Sequence, residues 1–138
     1  YLLENLYKSP SKKPIKYPPI PYAVFSSPQV AGVGLTEDQL KTAKRKDYIV
    51  GLNQYKDSAM GGDALRSDHG FAKLIFDKRS KKLIGAHIIG KEASDMIHTL
   101  IAFINMGATV DDMLKTVYIH PALPEIVRNA ARKANAQF

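Results

Sequence analysis

The order of elements in this sequence predicts the α+β class, an antiparallel sheet covered by helices. Three observations carry the prediction. Phe71-Ala72-Lys73-Leu74-Ile75-Phe76 and Leu83-Ile84-Gly85-Ala86-His87-Ile88-Ile89 are apolar, strand-forming runs on either side of a polar tip at 77–82, the signature of a β-hairpin. Directly afterwards Ala93, Ile97, Leu100, Ile101 and Ile104 recur at helical spacing, with Met96 and Phe103 widening the band. The remaining strands and helices follow in mixed succession, without the regular alternation that builds a parallel sheet. With 138 residues and 45% hydrophobic content, the chain can bury one core.

Residues 1–8 lack a basic leader ahead of a long apolar core and read as the last turns of a helix cut from something larger. Pro10, Pro14, Pro18, Pro19 and Pro21 then lie among lysines and serines, which makes residues 8–21 a stiff, extended connector. The expected division is therefore 1–19 as the end of a preceding domain plus linker, and 20–138 as the domain itself. Tyr22-Ala23-Val24-Phe25 reads as a short strand closed by a Ser26-Ser27-Pro28 turn. A second extended piece, 30–35, is weakened by Gly32 and Gly34. Thr36 and Gln39 have capping-box spacing and predict a helix to about Lys46. Residues 48–55 are rich in strand formers. Met60-Gly61-Gly62-Asp63 has no clear period and lacks the Lys-Ser/Thr ending of a phosphate loop, so 56–68 reads as a flexible loop.

After the hairpin a helix is predicted over 92–105, closed by Gly107, with a shorter helix opening at Thr109. The breadth of its apolar band suits a helix lying between its own sheet and a partner. His87 is placed on one strand face with Leu83 and Ile89 and reads as a packed residue.

Composition excludes several function classes. The formal charge of +7 raises the question of nucleic acid. The cations fall in three separate spots: Lys8, Lys12, Lys13 and Lys16; Lys41, Lys44, Arg45 and Lys46; and Lys78, Arg79, Lys81 and Lys82. None is interleaved with aromatics, so no nucleic-acid stripe is predicted. No apolar run reaches the roughly 18 residues of a membrane span. The absence of cysteine removes disulfides, cysteine nucleophiles and thiolate metal sites from this chain. His69, His87, His98 and His120 share no ligand spacing on one element, so no metal site is expected.

One stretch brings a histidine and a carboxylate together through the backbone itself: Tyr118-Ile119-His120-Pro121-Ala122-Leu123-Pro124-Glu125. Proline suits a helix's first turn, where its missing N–H would have had no partner. The stretch therefore reads as the end of an apolar segment, a tight entry, and a helix through about Lys133. His120 sits just outside that helix and Glu125 within or just after its first turn. A carboxylate so placed can receive the imidazole N–H and fix its tautomer. The same residues also describe a plain helix start, since glutamate complements the macrodipole there.

Three pieces in order resemble one family. They are Ile20-Pro21-Tyr22-Ala23-Val24-Phe25 with Val33-Gly34-Leu35-Thr36-Glu37; the hairpin Gly70-Phe71-Ala72-Lys73-Leu74-Ile75 with Leu83-Ile84-Gly85-Ala86-His87-Ile88-Ile89-Gly90; and His120-Pro121 with Glu125. Over about residues 20–133 the chain resembles the C-terminal dimerisation domain of the flavin-dependent pyridine nucleotide–disulfide oxidoreductases. That family includes dihydrolipoamide dehydrogenase, glutathione reductase, mycothione reductase and mercuric reductase. The resemblance implies a cytoplasmic homodimer acting on a dithiol or disulfide substrate. FAD and NAD(P) would be held by other domains of the full-length chain and none by this fragment. It implies that His120 is the acid/base for thiol–disulfide exchange and Glu125 its orienting partner, with His120 and Pro121 reaching the partner subunit's FAD. Only a thiolate attacks a disulfide, so a group titrating near neutrality must take and return thiol protons.

The departures are also informative. The chain has no cysteine pair and no glycine-rich dinucleotide fingerprint, so it is expected to be inactive alone. Asp95 stands where many relatives carry glutamate. The general pattern is nearest the dihydrolipoamide dehydrogenases, while the 118–125 stretch also reads like the mycothione and mercuric reductase branches. A non-catalytic interaction module that has kept the fold is the competing reading.

Overall fold

The computed structural model describes residues 2–8, 14, 17–65 and 69–138. Half of the proline- and lysine-rich connector, residues 9–13, 15 and 16, with Pro10, Lys12, Lys13 and Lys16 among them, lies outside the described residues. Glu4–Lys8 forms a single helical turn ahead of it.

Five strands build one antiparallel sheet: β1 (Tyr22–Val24), β2 (Gln29–Gly34), β3 (Tyr48–Gln54), β4 (Phe71–Asp77) and β5 (Leu83–Gly90). Their order across the sheet is β1-β2-β5-β4-β3, so the β4–β5 hairpin forms the centre. The period of two along the strands places Ala31 and Val33, Ala72, Leu74 and Phe76, and Ala86 and Ile88 on one buried face. Two helices cover that face. One is α2 (Ala93–Asn105), which lies on β2 and β5; the other is α4 (Glu125–Asn135), which lies on β3 and β4. The short α3 (Val110–Lys115) opens with a Thr109–Asp112 capping box and packs on α4. On the opposite face α1 (Glu37–Thr42) is tied down by a 2.6 Å ion pair from Lys73 of β4 to Glu37. No helix among the described residues is long and apolar enough to cross a membrane.

Two glycines set how closely these layers approach. A Cβ on Gly51 would overlap the Ala130 carbonyl oxygen and come within 2.8 Å of the Ala134 Cβ, so α4 lies directly on the backbone of β3. A Cβ on Gly90 would overlap the ring of Tyr55. That ring is fully buried and its hydroxyl donates to the Lys91 carbonyl at 2.7 Å, locking the end of β3 to the hairpin base.

Three expectations need correction. The helix after Thr36 has the predicted cap, with Gln39 N–H on Thr36 Oγ1 at 3.1 Å and Thr36 N–H on Gln39 Oε1 at 2.9 Å. It ends at Thr42, however, and does not reach Lys46. Arg45 N–H bonds Leu40 O and Lys44 N–H bonds Lys41 O, each at 2.9 Å, with Lys44 left-handed at φ 53°. This is a Schellman closure, made without the glycine that usually announces it. The predicted flexible loop over 56–68 instead winds, as far as residue 65, into a 3₁₀ turn (Tyr55–Asp57) and a π-helical turn (Ala59–Ala64), while residues 66–68 lie outside the described residues. Ser58 Oγ caps the second turn by accepting from Gly61 N–H at 3.2 Å. Gly61 and Gly62 lie so close to the Tyr55 and Lys56 carbonyls that a side chain would not fit at either.

His87 does not share a face with Leu83. A register shift at Ile75/Phe76 inserts a residue between Leu83 and Ala86, so Leu83 pairs with Phe76 over the core. His87 lies on the other face, where its Nε2 is 3.1 Å from the Leu35 carbonyl.

Two measurements follow from this packing. Gly51→Ala should lower the unfolding free energy by about 2–3 kcal/mol in urea titration, because neither backbone has room to yield. Lys44→Gly should raise it by about 1 kcal/mol, because a glycine meets no Cβ penalty in the left-handed region.

Candidate functional site

The candidate site is built by the chain between α3 and α4. Thr116 leaves α3 in an extended conformation. Burial then alternates: Val117 and Ile119 are exposed and Tyr118 turns inward. The apolar segment expected before His120 is thus two outward side chains around one inward ring. His120 is the next outward residue, and its peptide bond to Pro121 is cis. Leu123 packs against the core and Pro124 occupies the N-cap position, so α4 opens at Glu125.

This entry folds the chain back on itself. His120 Nδ1 lies 2.9 Å from Glu125 Oε2 and 3.1 Å from Oε1. The Ala122 amide donates to Oε2 at 3.2 Å, and Arg128 Nη2 donates to Oε1 at 2.8 Å. The Glu125 side chain is 6% exposed whereas that of His120 is 68% exposed. The pair therefore has a fixed inner end and an open outer one.

An ionised carboxylate accepts hydrogen bonds and donates none. Nδ1 must then carry the ring hydrogen in the neutral form, which leaves the lone pair on Nε2. Burial pushes the Glu125 carboxyl up. The Ala122 amide, the His120 ring and Arg128 together outweigh it and hold the group below the ordinary carboxylate value.

Two contributors were not identified from the sequence. The Arg128 guanidinium bonds Glu125 and lies over the Tyr118 ring, 5.9 Å from its centroid. Arg128 stands three residues after Glu125, the spacing of an ion pair within one helical turn, and that spacing was the available signal. The inward direction of Tyr118 left no such mark. Asp95 lies exposed in the first turn of α2, on a separate helix. His98 is on that helix too, its Nδ1 3.0 Å from the Ser94 carbonyl. Among the described residues no three histidine, aspartate or glutamate side chains converge as metal ligands.

Residues 20–131 match the family model described as the pyridine nucleotide-disulphide oxidoreductase dimerisation domain. Mycothione reductase of Mycobacterium tuberculosis is 46% identical over 112 residues, which are 80% of this chain and 24% of that protein. Dihydrolipoyl dehydrogenase 3 of Haloarcula marismortui is 38% identical over 120 residues, 87% of this chain and 25% of that protein. The chain thus spans about a quarter of the length of these curated relatives. The fold is similar to that of LpdA from Mycobacterium tuberculosis, with a TM-score of 0.79 and 21% identity over 88% of this chain and 26% of that one. It is also similar to the HOCl-induced flavoprotein disulfide reductase RclA from Escherichia coli, at a TM-score of 0.74 and 20% identity over 98% of this chain and 30% of that one.

The lowered Glu125 carboxyl has a consequence for stability. Its folded value lies below the unfolded one, so its stabilisation is complete above the ordinary glutamate value of 4.5 and is lost as pH falls through the folded value. Urea midpoints at about pH 6 and about pH 3.5 should therefore differ more in the native chain than in Glu125→Gln, which has no such proton to bind.

Proposed function

The chain belongs to the pyridine nucleotide-disulphide oxidoreductases as their dimerisation domain, and on that premise we propose that it supplies the catalytic acid/base of a dithiol–disulfide flavoprotein. One observation carries the reading: a buried carboxylate holds Nδ1 of an exposed imidazole at 2.9 Å, leaving Nε2 to exchange protons with an outside group. The reaction class is oxidation of a dithiol, as in a dihydrolipoamide dehydrogenase-like enzyme, or reduction of a disulfide.

In the oxidising direction Nε2 of His120 takes the proton of one substrate thiol. The resulting thiolate attacks one sulfur of the disulfide carried by the partner subunit. That S–S bond breaks as the mixed disulfide forms, and the displaced sulfur leaves as a thiolate. Glu125 stabilises the charged ring meanwhile and keeps its orientation. The second substrate thiol passes its proton to the thiolate just displaced and attacks the substrate sulfur of the mixed disulfide; the protein sulfur leaves and takes the proton held on the ring, so the substrate ends oxidised and the reverse sequence reduces a disulfide.

When bound in the full-length enzyme, FAD and NAD(P) supply the two-electron chemistry. His120 and Pro121 fit the edge of such a group, since both are exposed and no hydrogen bond among the described residues occupies Nε2. We place the fragment, inactive and without cofactor by itself, in a cytoplasmic homodimer with α2 near the two-fold axis. Support for that face comes from Tyr22, Val24 and Phe25, exposed large side chains beside a cleft between β1 and α2. Neither nucleic acid nor membrane enters the proposal. The greater identity to mycothione reductase than to the dihydrolipoyl dehydrogenase favours disulfide reduction as a second reading.

In the full-length protein, His120→Gln should reduce kcat/KM for thiol–disulfide exchange by about 10²–10⁴-fold with dimer mass and flavin content retained. Undiminished exchange would sink the acid/base assignment and leave the interaction module. Parallel assays with dihydrolipoamide and with mycothiol disulfide would separate the two directions.

A further inference from the structure

We propose that Arg128 is a positioning residue for proton transfer, holding Glu125 so that His120 keeps its hydrogen on Nδ1 and offers Nε2; this rests on the acid/base reading of His120. The terminal torsion of a glutamate is broad, so the carboxylate needs an external constraint to aim at one partner. Oε2 has two donors, His120 Nδ1 and the Ala122 amide. Oε1 has the 2.8 Å bond from Arg128 Nη2 and only the longer 3.1 Å contact to the ring. Removing the guanidinium would leave Oε1 weakly held and the carboxylate free to turn.

Arg128 is itself constrained. Its side chain is 22% exposed, and it lies over Tyr118 while reaching Asn129 Oδ1 at 3.4 Å. Tyr118 is two residues before His120, and Glu125 is one helical turn before Arg128. The guanidinium therefore joins the incoming segment to the helix that carries the acceptor. An exposed ion pair would contribute little, but here the carboxylate is buried, and loss of its cation leaves an unsatisfied charge. The planar guanidinium can lie over Tyr118 and donate to Oε1 at once, whereas a lysine ammonium supplies only the charge.

The test uses the full-length protein with ¹⁵N-labelled histidine, comparing Arg128→Met and Arg128→Lys with the native residue. Arg128→Met should lower kcat about tenfold with KM unchanged within about twofold. It should also raise the Nε2–H tautomer of His120 in the ring ¹⁵N spectrum. Arg128→Lys should recover part of both signals. A native tautomer ratio in Arg128→Met, or a loss of thermal stability with kcat intact, would assign Arg128 a structural role and overturn the proposal. If Arg128→Met fails to fold, Tyr118→Leu removes the ring beneath the guanidinium and should move the tautomer ratio the same way; an unmoved ratio overturns the proposal equally. Should His120→Gln leave exchange untouched, the acid/base reading fails by itself, and the tautomer ratio still decides whether Arg128 holds the ring.

Discussion

A buried carboxylate that accepts from an imidazole, a backbone amide and a guanidinium is the constraint on which this end of the molecule depends. Desolvation by itself pushes the Glu125 carboxyl up. Three donors from three directions keep it charged. Because the acceptor is inside and the imidazole outside, the interaction also orients His120 without enclosing it. Orientation with access is what proton exchange requires, and neither burial nor exposure of the whole pair would provide it.

That arrangement needs α4 to be fixed, and the sheet fixes it. Gly51 lets the helix rest on the backbone of β3, while Ile126, Val127, Ala130, Ala131 and Ala134 bury its apolar side. Small residues along α4 give close approach, not bulk, so the position of the helix axis is tightly defined. Glu125 inherits that precision as the first residue of the helix. The incoming segment is anchored by the inward Tyr118 and Leu123 and by the bonds of His120 and the Ala122 amide to Glu125, while Ile119, His120 and Pro121 face out.

Most of the fold was legible because its signals are local. The hairpin at 71–89, the capping box at Thr36 and Gln39, and the apolar period of α2 each depend on residues within a few positions of one another. The misread elements share a different character. Lys44 ends α1 through a left-handed residue that carries no glycine signal, and the two turns at 55–64 are shaped by contacts with carbonyls already in place. The face of His87 was lost to a register shift that alternation alone does not reveal, since one inserted residue reverses every side chain beyond it.

At the site the division is similar. The sequence by itself brought His120 and Glu125 within reach of each other, because they stand five residues apart across a helix entry with two prolines, though the same residues also describe a plain helix start. It also determined the α+β architecture, through hydrophobic period and turn chemistry. Only the tertiary structure decided that Glu125 is buried while His120 is open, that Arg128 and Tyr118 stand behind them, and which face of the sheet carries the helix presenting them. Burial and direction depend on which layers meet, and that is settled by contacts between residues far apart in the chain, such as Gly51 with Ala130.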